Sequence, residues 1–260
     1  MTLASNRVEC LFVRRQDCEG TVESDFNRLS EALFQPYVDG WSQARRDRIQ
    51  LALVDGGPVL ETDVTELLMA MSGDLEQYFL TIVWDTVGLG DPPKRAFVVD
   101  SRFFVSRFPS PSGCKHVPDM CVVRTDETGE PLELLVVIEA KGNAQVNGDR
   151  GYCKARGSTY SNQAIAYPAG CWTSANVDKA KMLWIGPDYA IGHERGPWGT
   201  KGLIPSDVTR YDLGTAFAEQ EAARERWIGL GWGELSDKLR SHPDGGLVAR
   251  VLDTWSRHFV

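Results

Sequence analysis

The sequence predicts an α/β protein: one domain over residues 1–260, with a strand-and-helix core at about 60–190 and helical additions at about 20–55 and 206–260. Three observations predict it. Apolar residues recur at helical spacing in stretches that reach about Trp84. The texture then shifts to β-branched and aromatic runs separated by turn residues. The resulting order, helices, three strands, a helix and a strand, proceeds without an internal repeat or a low-complexity linker.

Each element follows from its residues. Val8–Val13 reads as a short strand. From Ser24, the residues Phe26, Leu29, Leu33 and Phe34 recur at helical spacing, and Pro36 ends the pattern. Residues 41–54 read as a helix with Arg45, Arg46 and Arg48 on a basic face, and Gly56-Gly-Pro58 breaks it. Thr62–Glu66 resembles a capped helix start, with apolar residues continuing to about Trp84. Ala96–Phe108 is the first core strand, Val117–Arg124 the second and Leu134–Ala140 the third, with Asp126–Gly129 as a hairpin-type turn. Residues 158–167 suit a helix and Lys181–Ile185 a fourth strand. Beyond Ser206 the chain reads as helical through Arg240, and a last helix covers about Leu247–His258.

Composition narrows the function classes. No apolar run approaches the roughly 20 residues needed to span a membrane, and the N-terminus lacks the apolar stretch of a secretory signal. Six cysteines without a C-x-x-C pair read as reduced thiols, and the four histidines show no metal-ligand spacing, so an intracellular protein without a zinc site is expected. The net charge of −8 argues against sequence-independent coating of DNA. Its distribution is uneven: Lys94–Arg156 holds ten basic and eight acidic residues. A weakly positive cleft in an acidic body is compatible with that pattern.

The most informative segment runs from His116-Val-Pro-Asp119 to Leu134-Leu-Val-Val-Ile-Glu139-Ala-Lys141. Asp119 sits at the start of one apolar strand. Glu139 and Lys141 sit two apart at the end of the next, so they share a face while Ala140 turns away. If the strands are neighbours, two carboxylates and an amine meet at one edge of the sheet. Two carboxylates 4 Å apart repel by about 4 kcal/mol at an effective dielectric of 20. A divalent cation relieves that repulsion better than Lys141 alone.

Magnesium takes oxygen ligands and keeps several waters, so Asp119, Glu139 and the Ala140 carbonyl form a candidate ligand set. Lys141 would hold the attacking water or offset charge developing on phosphorus. Gln163 and Tyr167 lie four apart on one face of the expected helix, where Gln163 could orient the water or touch the scissile phosphate. Both Asp119 and Lys141 are read as lying at strand edges, so their replacement is expected to stop cutting with little loss of folding.

These residues resemble the PD-(D/E)xK nuclease superfamily, the restriction-endonuclease-like fold. Pro118-Asp119 is similar to its PD element, Glu139-Ala140-Lys141 to its (D/E)xK element, and Gln163-x-x-x-Tyr167 to the Q-x-x-x-Y motif of its RecB-like branches. The resemblance implies a mixed four-stranded sheet flanked by helices, and Mg²⁺- or Mn²⁺-dependent hydrolysis of DNA phosphodiesters, endo- or exonucleolytic. It implies that Asp119 and Glu139 bind the metal with the Ala140 carbonyl while Lys141 assists the water. It also implies a further acid from a preceding helix, for which Glu76, Glu66 and Glu23 compete.

Two alternatives stand beside this expectation. A ribonuclease could use the same site, with Trp172 and Tyr160 near the Gln163 helix stacking on single strands. A catalytically silent interaction module could use the same fold, although none of the motif acids is lost. Eight tryptophans and the helical ends could also build a homo-oligomer interface.

Overall fold

The computed structural model describes residues 25–54, 57–100, 117–128, 130–142, 153–155, 158–160, 180–188 and 226–257. The N-terminal part is helical: α1 (residues 25–31), α2 (Gln35–Asp39), α3 (Gln43–Leu53), α4 (Glu61–Ala70) and α5 (Gly73–Val87). The strands are β1 (Ala96–Asp100), β2 (Met120–Thr125), β3 (Pro131–Ala140), β4 (Cys153–Ala155), β5 (Ser158–Tyr160), β6 (Lys181–Gly186) and β7 (Trp227–Gly231). Two helices follow, α6 (Trp232–Arg240) and α7 (Gly245–Ser256). None of the helices among the described residues is long and apolar enough to cross a membrane.

Five strands form one mixed sheet in the order β1-β2-β3-β6-β7. The first three are antiparallel neighbours; β6 runs parallel to β3, and β7 parallel to β6. The α/β expectation is therefore met, but the sheet is one strand wider than the four expected. The extra strand is β7, at residues that the sequence predicts to lie in a helix running through Arg240. Its residues Trp-Ile-Gly-Leu-Gly explain the outcome. Two glycines in five positions weaken a helix by about 1 kcal/mol each, whereas Trp227, Ile228 and Leu230 suit a pleated surface.

A second difference lies at residues 158–160, expected to open a helix. They form β5, paired antiparallel with β4. Thr159 and Tyr160 are good strand formers, and the partner strand decides the outcome. The rest of the expected helix, with Gln163 and Tyr167, lies outside the described residues, as do Trp172, Val8–Val13 and the expected strand beyond Asp100.

Smaller differences follow local chemistry. The long apolar stretch from Thr62 divides at Met71-Ser72: Met71 is extended and bridges Leu33, and Gly73 opens α5 at φ +57°, where a side chain would be strained. Pro36 starts α2 rather than ending α1, because the first helical turn tolerates a missing N–H. The β3 strand begins at Pro131, a permitted first position for proline, and a bulge leaves Leu135 without a register partner on β2.

The core lies between the helices and one sheet face. Val136, Ile138 and Ala140 of β3 join Leu183 and Ile185 of β6 and Leu230 of β7 under Phe79, Leu80 and Val83 of α5. Burying each large apolar side chain contributes roughly 1.5–3 kcal/mol. The other face, with Cys121, Val137, Met182 and Trp184, is buried too, which is why these strands read as continuous apolar runs.

The N-terminal helices are tied together by Asp63, a fully buried carboxylate on α4. It accepts from Arg48 Nη2 at 2.7 Å, Arg45 Nε at 3.1 Å and the Leu60 amide at 3.1 Å. Arg46 donates to the Val38 carbonyl at 2.7 Å. The expected basic face of α3 is thus largely spent on internal contacts.

Candidate active site

Antiparallel pairing of β2 and β3 brings the start of one strand to the end of the other. Met120 is opposite Ile138, so Asp119, one residue earlier, meets Glu139-Ala140. Oδ2 of Asp119 accepts a hydrogen bond from the Ala140 amide at 2.9 Å and stands 3.3 Å from the Lys141 ammonium. Glu139 Oε1 is in direct contact with the same ammonium. The two carboxylates and the amine expected from the sequence are therefore together. An extended residue turns its N–H and C=O toward the same neighbouring strand, so the Ala140 carbonyl also faces the β2 side.

A further carboxylate completes the cluster. Glu61, the first residue of α4, places Oε1 3.6 Å from Lys141 Nζ, and its Oε2 accepts from the Gly142 amide at 2.8 Å. The competing candidates are occupied elsewhere. Glu66 pairs with Arg45 at 3.5 Å, and Glu76 accepts from the Val98 amide at 3.2 Å on β1. Glu23 and Gln163 lie outside the described residues. Nothing in the sequence marks Glu61, because an acid at a helix start is ordinary and no spacing ties it to a strand some 80 residues later. Asp63, two residues on and hydrogen-bonded to the Leu60 amide, is the available signal that this helix start is fixed.

Burial decides the electrostatics. Glu139 is 1% exposed and Lys141 6%, whereas the side chains of Asp119 and Glu61 are 27% and 37% exposed, so the cluster opens to solvent on their side. Burial, then the Asp119 charge, pushes the Glu139 carboxyl up to about 8 against the pull of Lys141. Burial would lower the Lys141 ammonium, but Glu139, Asp119 and Glu61 hold it above its ordinary value. The buried Cys121 thiol is driven well up by burial and by the same two acids, Glu139 and Asp119. Beside burial, neighbouring carboxylates raise all three groups: with every member ionised, three carboxylates face one ammonium.

Such a cluster is poor as a stability device. Desolvation costs several kcal/mol per buried ion, and an apolar replacement of similar volume is often neutral or stabilising by about 1–4 kcal/mol. Buried, mutually perturbed ionisable groups at a strand end open to solvent are instead a frequent mark of a functional site.

The donor chemistry fits a hard divalent cation, since Asp119, Glu139 and Glu61 offer carboxylate oxygens and Ala140 a carbonyl. As arranged, the Lys141 ammonium holds the centre of the cluster. Among the described residues no set of three His, Cys, Asp or Glu side chains is disposed as a ready-made metal-holding group. Two clefts of about 340 and 320 Å³, one between α1 and α7 and one beside β1, are not lined by any residue of the cluster.

Comparison with family models, with curated proteins and with solved structures finds no match to this chain.

Proposed function

We propose that the chain is a divalent-metal-dependent nuclease that hydrolyses DNA phosphodiester bonds, using Asp119, Glu139 and Lys141 in the manner of the PD-(D/E)xK enzymes it resembles. One observation carries the reading: a nearly buried ammonium is surrounded by Asp119, Glu139 and Glu61 where β3 leaves the sheet. The side chains of Asp119, Glu139 and Glu61, with the Ala140 carbonyl, would hold Mg²⁺ or Mn²⁺. The cation would supply polarisation of a phosphoryl oxygen and acidification of water.

The residues do the remaining work. Glu139 and Glu61 fix the Lys141 ammonium from two directions. From there it holds the attacking water and balances the charge that builds on the phosphoryl oxygens as the new P–O bond forms and the old one breaks. The attacking water gives up its proton to solvent, which reaches the cluster past Asp119 and Glu61, and the departing oxygen takes a proton from the same side. Ala140 N–H keeps the Asp119 carboxylate oriented, so little reorganisation is needed during the reaction.

The test is incubation of the purified chain with plasmid, linear and single-stranded DNA and with RNA, with and without Mg²⁺ or Mn²⁺. DNA cleavage that stops on chelation is the expected result. RNA cleavage with DNA spared would reassign the substrate. No cleavage of any substrate with either metal would overturn the reading and leave a non-catalytic module.

A further inference from the structure

The peptide unit joining Lys141 to Gly142 is held at both ends by side chains from two different helices. Its carbonyl accepts from Trp232 Nε1 at 2.9 Å, a contact spanning 91 residues, and its N–H donates to Glu61 Oε2 at 2.8 Å. Trp232 is fully buried at the first position of α6 and packs edge-on against Trp255 of α7, with ring centroids 6.4 Å apart. The Lys141 amide in turn donates to the Ile185 carbonyl of β6 at 2.8 Å. The backbone on both sides of the Lys141 Cα is therefore tied down, at the point where the chain leaves the sheet.

A lysine has four flexible carbons between backbone and charge, so its direction depends on its Cα–Cβ bond. That bond is set by the two flanking peptide planes. The β6 contact fixes the plane before Lys141. Among the described residues, the Glu61 and Trp232 side chains fix the plane after it, and Glu61 also reaches the ammonium. We propose that Trp232 is a positioning residue. Its indole N–H and the Glu61 carboxylate grip the Lys141–Gly142 peptide and thereby aim the Lys141 ammonium at Asp119 and Glu139. The inference rests on the nuclease reading for its catalytic consequence, but the grip itself does not depend on that reading.

Trp232→Phe keeps an aromatic ring and removes the donor. The control is Trp41→Phe, which removes an indole from the helical core. Trp41 Nε1 is buried without a hydrogen-bond partner among the described residues. Both variants are compared with wild type, full chain in each case, for amide hydrogen exchange at Gly142, for Mn²⁺ affinity, and for kcat and KM of cleavage.

In Trp232→Phe the Gly142 amide should exchange at least tenfold faster and kcat should fall on the order of tenfold to a hundredfold, with KM changed less than about twofold. Mn²⁺ affinity should weaken in parallel. Trp41→Phe, which trims a buried indole without removing a hydrogen bond, should leave these readouts at their wild-type values. Wild-type protection of Gly142 in Trp232→Phe, or equal effects of the two variants, would overturn the proposal. If wild type cuts no nucleic acid, the nuclease reading falls, and the grip is judged by Gly142 exchange and Mn²⁺ affinity alone.

Discussion

The amide of Ala140 donates to Oδ2 of Asp119 at 2.9 Å, so the acid that opens one strand is seated on the backbone that closes the next. This bond separates two roles of Asp119. Asp119→Asn keeps an oxygen for the amide and removes the charge; Asp119→Ala removes both. The asparagine variant should lose at least a hundredfold in cleavage and unfold close to wild type. The alanine variant should lose as much activity and a further 1 kcal/mol or so of stability, the low end for an unpaired donor, since removing a carboxylate that is 27% exposed lets water in. Urea denaturation beside a cleavage assay reads both. Full activity in Asp119→Asn would remove Asp119 from the chemistry.

Lys141 is not the strand-edge residue that the sequence reading expected to be replaceable without harm to folding. It is 6% exposed among three carboxylates, so Lys141→Met leaves Glu139 buried without its nearest positive charge. The Glu139 carboxyl, raised to about 8 even beside the ammonium, is pushed further toward its protonated form without it, which limits the loss. A destabilisation of about 2–4 kcal/mol is expected at pH 7, somewhat under the roughly 3–5 kcal/mol of a buried pair whose remaining partner stays charged. Adding Glu139→Gln should restore most of it, because the double variant buries no charge, while cleavage stays abolished. Denaturant midpoints of the two single variants and the double variant decide this. Additive losses would mean that the pair is not coupled.

How far the sequence carries can be judged from particular residues. The strands β2, β3 and β6 were legible because burial on both faces writes an unbroken apolar run. Asp119 and Glu139 could be paired because an antiparallel hairpin fixes register locally. The fifth strand was not legible, because Trp227–Gly231 lies just before a charged helix and becomes a strand only through its parallel contact with β6. Likewise β5 depends on pairing with β4. Glu61 and Trp232 reach the site through tertiary contacts spanning 81 and 91 residues, which no periodicity records.

Asp63 makes stability fall on the acid side. Burial alone would raise its carboxyl, but hydrogen bonds from Arg48, the Leu60 amide and Arg45 win, and its folded-state pKa lies below the ordinary aspartate value. A lowered folded pKa means that the unfolded chain binds the proton first. The contribution is therefore complete above about pH 4, the unfolded value, and is lost as pH falls through the folded value. Asp63→Asn should destabilise the protein by about 3 kcal/mol at pH 7, since both arginines keep some access to water. It should also flatten the stability curve below about pH 4. An unchanged acid limb in the variant would show that another carboxylate governs it.

Gly231 marks a close approach between the ends of β6 and β7. A Cβ there would lie 1.8 Å from Asp188 Oδ1 and 3.4 Å from the Asp188 Cα. The Asp188 carboxylate cannot retreat freely, because Oδ2 accepts from the Gly233 amide at 3.1 Å in the first turn of α6. Gly231→Ala should destabilise by about 1–3 kcal/mol, the usual range for overpacking. In Asp188→Ala the obstruction is gone, so the same glycine replacement should cost much less. A double-mutant cycle by thermal unfolding reads the coupling, and simple additivity would mean that the clash is relieved elsewhere.

Glu61 and Glu76 can be told apart by the same conservative change. Glu61→Gln keeps an oxygen for the Gly142 amide and removes a carboxylate 3.6 Å from the Lys141 ammonium. If Glu61 helps hold the cation, Mn²⁺ affinity should drop on the order of tenfold or more and cleavage with it, with little change in stability. Glu76 is half-buried against β1, where burial raises its carboxyl and the Val98 amide only partly counters this. Glu76→Gln retains an acceptor for that amide and no longer buries a charge. It should therefore be neutral or stabilising by up to about 1 kcal/mol at pH 7, with cleavage and Mn²⁺ affinity unchanged. Mn²⁺ titration and cleavage of both variants at one pH give the comparison. Loss of metal binding in Glu76→Gln with retention in Glu61→Gln would move the third acid from α4 to α5.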